Sequence, residues 1–134
     1  MSPLIRRCCR RARRDDRGEV SIETVILMPV LILLIMLGVQ AATWYHAANV
    51  AQSAAAQGAA AGAVRDAGNG AASARAQQVI DESGALGSAS ASGGFAEVSV
   101  QVTVNVAHLV PFFPDTVTVS ASEARERFIP EDQR

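Results

Sequence analysis

Two carboxylates and a glycine hold the most chemically informative positions in this chain. Glu19 and Glu23 stand one and five residues after Gly18, at the point where a basic arm meets a long apolar run. A carboxylate at the membrane end of an apolar helix costs up to about 2.5 to 3.5 kcal/mol if it is carried deep into a bilayer, so Glu23 calls for a partner of opposite charge. The bland alternative is a glutamate that snorkels to the inner interface, favoured by the positive end of the helix dipole. Other reactive types are sparse. His46 and His108 are the only two histidines, and both cysteines, Cys8 and Cys9, lie in the basic arm, so neither a metal cluster nor a Cys-His or Ser-His-Asp set can be assembled. His46 reads as interfacial and His108 as a loop residue. Asp81 and Glu82 are sequence neighbours that point to different helix faces and make a poor catalytic pair. No glycine-rich phosphate loop follows a strand. The reading is a protein without catalytic residues, cofactor, metal or small-molecule substrate.

The arm itself is strongly charged. Residues 1 to 18 hold seven Arg against Asp15 and Asp16, a net of +5, while the remainder carries five Arg and eleven acids, a net of −6. Arginines next to an apolar run resist translocation, which predicts a cytoplasmic N-terminus and an extracytoplasmic remainder. A basic arm can also bind nucleic acid, but such arms seldom abut a membrane segment, and nucleic acid is not an expected partner. A reducing cytosol would keep Cys8 and Cys9 as thiols, and the exported part has no cysteine with which to form a disulfide.

The elements that must position these groups follow from the hydrophobic pattern. Thr24 to Tyr45 contains no charge. At about 1.5 Å per residue, the steps from Thr24 to Trp44 cover about 30 Å, the thickness of a hydrocarbon core. Trp44 and Tyr45 fall where the outer membrane interface is expected, a level at which amphipathic rings are enriched. Pro29 lies in the second or third turn, where a kink and simple tolerance of proline in a membrane helix fit equally well. From His46 to Val64 the chain is dominated by alanine, so the helix is expected to continue outward as a stalk. Ala54, Gly58 and Gly62 form a small-xxx-small row that admits another helix closely, although so alanine-rich a stretch can produce the row by composition.

Asp66 to Gly70 should break that helix, and Ala71 to Ser83 reads as a second one ending at Gly84. Residues 84–94, Gly/Ser/Ala-rich, are expected to be a flexible linker. In Phe95 to Val106, valines at every second position alternate with polar residues, which predicts a strand with one wet face. Thr116 to Ser122 alternates likewise, and the intervening prolines, Pro111 and Pro114, suggest an irregular loop joining an antiparallel pair. Two strands alone are marginally stable, so the valine face must rest on the helix or on a partner subunit. Phe112 and Phe113 could anchor a partner, but capping the valine face is the favoured reading for so small a domain. Residues 123–134 read as a charged tail. The fold class is α+β and pilin-like: a long N-terminal transmembrane and stalk helix, a short helix and a small antiparallel β-ribbon. The expected segments are leader 1–18, transmembrane helix 19–45, stalk and second helix 46–83, linker 84–94, ribbon 95–122 and tail 123–134.

The junction Arg17-Gly18-Glu19-Val20-Ser21-Ile22-Glu23, with its basic leader, terminal glycine, glutamate five residues on and immediate apolar helix, resembles a type IV prepilin cleavage site. Pro29 and the Ala/Gly-rich continuation narrow the resemblance to the TadE-like family of Flp (tight adherence) pilus proteins, minor pseudopilins, over Arg17 to Val64. The resemblance implies cutting by a membrane prepilin peptidase after Gly18, with Glu19 as the new N-terminus. Glycine suits such a cleft because it adopts extended or left-handed geometry without a side chain to place. It also implies that Glu23 meets the N-terminal amine of a neighbouring subunit during assembly, so that the partners are the membrane, the peptidase and other pilins or TadE-like subunits. The chain departs from the common pattern at Val39-Gln40-Ala41-Ala42, where a Glu-Phe-Gly-Arg-like stretch is usual. Two other readings compete: a secreted protein cut by signal peptidase near Ala41, and an unprocessed single-pass scaffold of a secretion complex.

Overall fold

In the computed structural model, residues 16–64, 66–107 and 109–126 are described, with side chains from residue 23 onward. The arginine-rich arm with Cys8 and Cys9, the side chains of Gly18 and Glu19, His108 and residues 127–134 lie outside the described residues. The chain divides into two compact units, Met1–Gly38 and Val39–Arg134. The elements run α1 (Asp16–Ala63), α2 (Asn69–Glu82), β1 (Gly87–Gly93), β2 (Glu97–Asn105) and β3 (Thr116–Ala124). The architecture is α+β, as the sequence pattern predicts.

The first unit holds the N-terminal part of α1. Its side chains from Val25 to Met36 are exposed on all sides of the helix. A stretch of 18 residues reaches a mean hydropathy of 2.6 with only 6% of it buried, so this helix is long and apolar enough to cross a membrane. Pro29 lies inside α1 and does not end it.

In the second unit the rest of α1 presents a stripe of small residues, Ala47, Ala51, Ala54, Ala55, Gly58, Ala59 and Gly62, all buried. The break after it places Asp66 at φ 65°, a left-handed conformation that Asp tolerates better than bulkier residues. Helix α2 buries Ala72, Ala76 and Ile80, spaced by four along one face. It ends where Gly84 takes φ +70° and its amide bonds to Asp81 O at 3.1 Å, the expected glycine stop.

The sheet is antiparallel in the order β1-β2-β3. Val98, Val100, Val102 and Val104 of β2 are all but fully buried, while Glu97, Gln101 and Asn105 face outward. Their core partners are the alanines of α1 and α2 together with Ile80, so the valine face rests on helices of its own chain. Burying each valine stabilises the unit by roughly 1.5 to 3 kcal/mol relative to exposure.

Three expectations are corrected. The segment 84–94 is not a linker: it contains β1, which pairs with β2 through Gly87↔Val104, Ala89↔Val102, Ala91↔Val100 and Gly93↔Val98, so the ribbon is a three-stranded sheet. Only small residues fit there, because a Cβ on Gly87 would lie 2.5 Å from Thr103 O and one on Gly93 2.4 Å from Glu97 O. Side chains from α2 also occupy the strand: Gln77 accepts from Ala89 N at 3.3 Å, and Asn69 donates to Gly93 O at 3.3 Å. Next, the tail does not begin at residue 123. Glu123 and Ala124 belong to β3, and Arg125 donates to Ala67 O and to Asn69 Oδ1, tying the end of the sheet to the start of α2. Finally, Phe112 does not cap the valine face, since its ring is 99% exposed and the helices already cover that face.

Candidate functional site: the N-terminal helix and its junction

The backbone of Gly18 and Glu19 lies in the first turns of α1, and Glu23, one turn further, is exposed. Thr24 follows, and then the exposed apolar stretch up to Val39. Glu23 is therefore the last carboxylate before the apolar run, ahead of a surface that can be solvated only by lipid or by other apolar helices. Trp44 and Tyr45, expected at the membrane interface, are both exposed, at 40% and 65%.

Gln40, at the other end of the apolar stretch, was visible in the sequence only as a departure from a family pattern. It is 1% exposed, the one buried polar side chain found among the described residues. Its Nε2 donates to Ala107 O at 3.3 Å, and its Oε1 accepts from Leu109 N at 2.9 Å. Both amide ends are thus used to hold the β2–β3 loop against α1. No local pattern marks such a contact, because the partners are remote in sequence.

The row Ala54, Gly58 and Gly62 is occupied from within the chain. A Cβ on Gly58 would stand 2.8 Å from both Ala72 O and Ala76 Cβ, and one on Gly62 would stand 2.6 Å from Ala72 Cβ. Helix α2 is thus the helix that this row admits. Arg75 adds a polar link between the two helices, donating to Gln57 Oε1 at 2.6 Å.

Among the described residues, a helix long and apolar enough to cross a membrane, with carboxylates at its base and a small α+β unit following it, is the arrangement of a membrane-associated protein. Residues 18–60 match the family model described as TadE-like protein. Over that segment the chain is similar to TadE-like proteins, in agreement with the resemblance drawn from Gly18, Glu23 and the apolar run. No curated protein and no solved structure matches the chain.

Proposed function

We propose that this chain is a TadE-like minor pilin that takes part in assembling a Flp (tight adherence) pilus at the cell envelope, in a structural and not a catalytic role. The observation that carries this reading is the family match, which begins at Gly18 and takes in Glu23 and the whole apolar run. In this proposal a prepilin peptidase cuts after Gly18 and leaves 116 of the 134 residues, starting at Glu19. Since the helix includes both residues, its first turn must open for the cut, and glycine lowers the barrier to leaving helical geometry. The arginine arm stays cytoplasmic and the unit 39–134 lies outside. Glu23 then pairs with the free amine of a neighbouring pilin or TadE-like subunit, and Pro29 is the candidate kink.

Secretion after a signal-peptidase cut near Ala41 fits less well. Such a cut would sever Gln40 from the loop that it clamps, and the buried stripe of α1 begins only a few residues later.

Mass spectrometry of the mature N-terminus tests the proposal. Glu19, N-methylated as in prepilins, is the expected result; Ala42 would indicate secretion, and an intact Met1 an unprocessed anchor. Gly18→Leu should retain the arm and run about 2 kDa heavier than the processed wild type, the share of 18 residues in a 14.0 kDa chain. Equal mobility would count against cleavage at Gly18.

A further inference from the structure

The Gln40 end of the α+β unit displays apolar surface that the unit's own core does not use. Ala107 and Leu109, after β2, are clamped to α1, and beyond the clamp the chain turns sharply, with Phe113 N bonded to Val110 O at 3.5 Å. Pro111 and Phe112 are the central residues of that turn, and Phe112 has φ 98°. Glycine is the residue expected at such an angle, because a side chain is strained there. A phenylalanine occupies it instead, with a ring 99% exposed that adds nothing to the core. Leu109 beside it and Leu86, which borders the same end, are also exposed, at 41% and 76%. A cleft of about 630 Å³, lined in part by Val39, Ala42, Leu86 and Ala107, opens there as well. From Ala107 to Pro114 the sequence has no acid and no arginine.

The occupant follows from continuity with the apolar run. Thr24 to Val39 amounts to about 22 Å of helix, less than the roughly 30 Å of a hydrocarbon core, so the bilayer boundary falls at or past Gln40 and not before it. A loop fastened to Gln40 is therefore level with that boundary, where aromatic rings are stabilised and exposed apolar side chains enter the acyl layer. We propose that Phe112 is a membrane-inserting residue: the turn at residues 109–114 dips into the leaflet at the Gln40 end of the span and gives the extracytoplasmic unit a second contact with lipid. Phe95, 101% exposed, is a counter-example, because it sits in the β1–β2 turn at the opposite end of β2, away from Gln40. The inference rests on the apolar run of α1 being a membrane span, and the test separates the two.

The full chain has one tryptophan, Trp44, so a Trp44→Phe background accepts single reporters at Phe112, Phe95 and Leu31. Each variant is reconstituted at low protein density in phosphatidylcholine vesicles with brominated acyl chains. Phe112→Trp and Leu31→Trp should lose most of their emission to bromine and be blue-shifted, whereas Phe95→Trp should be neither. Quenching at Leu31 without quenching at Phe112 would overturn the inserted loop and leave the span standing. No quenching at either would remove the span and the inference with it. Equal quenching at Phe112 and Phe95 would mean indiscriminate adsorption of the unit, and a blue shift at Phe112 without bromine quenching would mean that protein covers the ring; either result overturns the proposal.

Discussion

The amide of Leu109 donates to Gln40 Oε1 at 2.9 Å, a bond between residues 69 apart in sequence. It joins the end of the exposed apolar stretch to the loop that closes the sheet, and the second amide bond, to Ala107 O, makes the clamp two-pronged. A glutamine is suited to this because it supplies a donor and an acceptor at one site and carries no charge to desolvate.

Replacing Gln40 with leucine should therefore destabilise the second unit by about 1 kcal/mol, since Leu109 N–H and Ala107 C=O lose their partner in a part-buried site. Gln40→Glu should also destabilise it, because it keeps the acceptor for Leu109 but loses the donor to Ala107 and buries a charge. Thermal melts of the full chain in detergent, with hydrogen exchange followed at Leu109, check this. Unchanged exchange at Leu109 in Gln40→Leu would show that the clamp is dispensable.

Gly62→Ala should lower stability even though alanine is the better helix former. The added Cβ would meet Ala72 Cβ at 2.6 Å and Val98 Cγ2 at 3.0 Å. Overpacking of that kind costs about 1 to 3 kcal/mol, against a propensity gain of about 1 kcal/mol or less. Gly38→Ala, with nothing within 4 Å, is the control and should be neutral or slightly stabilising. If both substitutions raised the melting temperature alike, the close approach of α1 and α2 at Gly62 would be disproved.

These two sites show where the sequence was legible. The alternation from Val98 to Val106 announced β2 and its buried face, because a period of two with β-branched residues has one physical reading. The small row at Gly58 and Gly62 announced a close helix, but spacing alone does not say whose helix it is, and α2 fills the place. β1 was missed because glycine, serine and alanine have poor strand propensity. The alternation of Ser88, Ala89, Ser90, Ala91 and Ser92 was present, yet the need for small side chains arises only from β2 and α2 pressing on the strand. Gln40 was unreadable for another reason: its partners lie beyond any local window. Phe112 was misread because economy of apolar groups argued for burial, whereas the alanines of two helices leave the valine face already covered.

Hydrogen exchange measured by mass spectrometry should find residues 87–93 protected, unlike a linker of the same composition. Gly93→Val should abolish that protection, because its Cβ would lie 2.4 Å from Glu97 O, whereas Gly94→Val, with open space around it, should not. Immediate exchange throughout 87–93 in the wild-type chain would return the segment to a linker.

Orientation has a direct test. A reporter active only outside the cytoplasm should work when fused after Arg134, and one active only inside should work when fused near Arg14. The reverse pattern would defeat the argument from the arginine arm.

Glu23 separates assembly from processing. It is exposed at the base of the apolar helix, so Glu23→Ala removes no packing, and Gly18 and the apolar run are untouched. Cleavage after Gly18 and membrane insertion should both persist, and insertion can improve, since a carboxylate that resists entry into the bilayer is gone. What should fail is association: co-purification with the major pilin or a sister minor subunit should drop, and surface pili should be reduced or absent. Glu23→Gln keeps shape and hydrogen bonding but removes the charge, and it should fall between alanine and wild type. If both variants supported normal pili, the pairing of Glu23 with a neighbour's amine would be wrong, and Glu23 would be an interfacial glutamate held by the helix dipole and the headgroups.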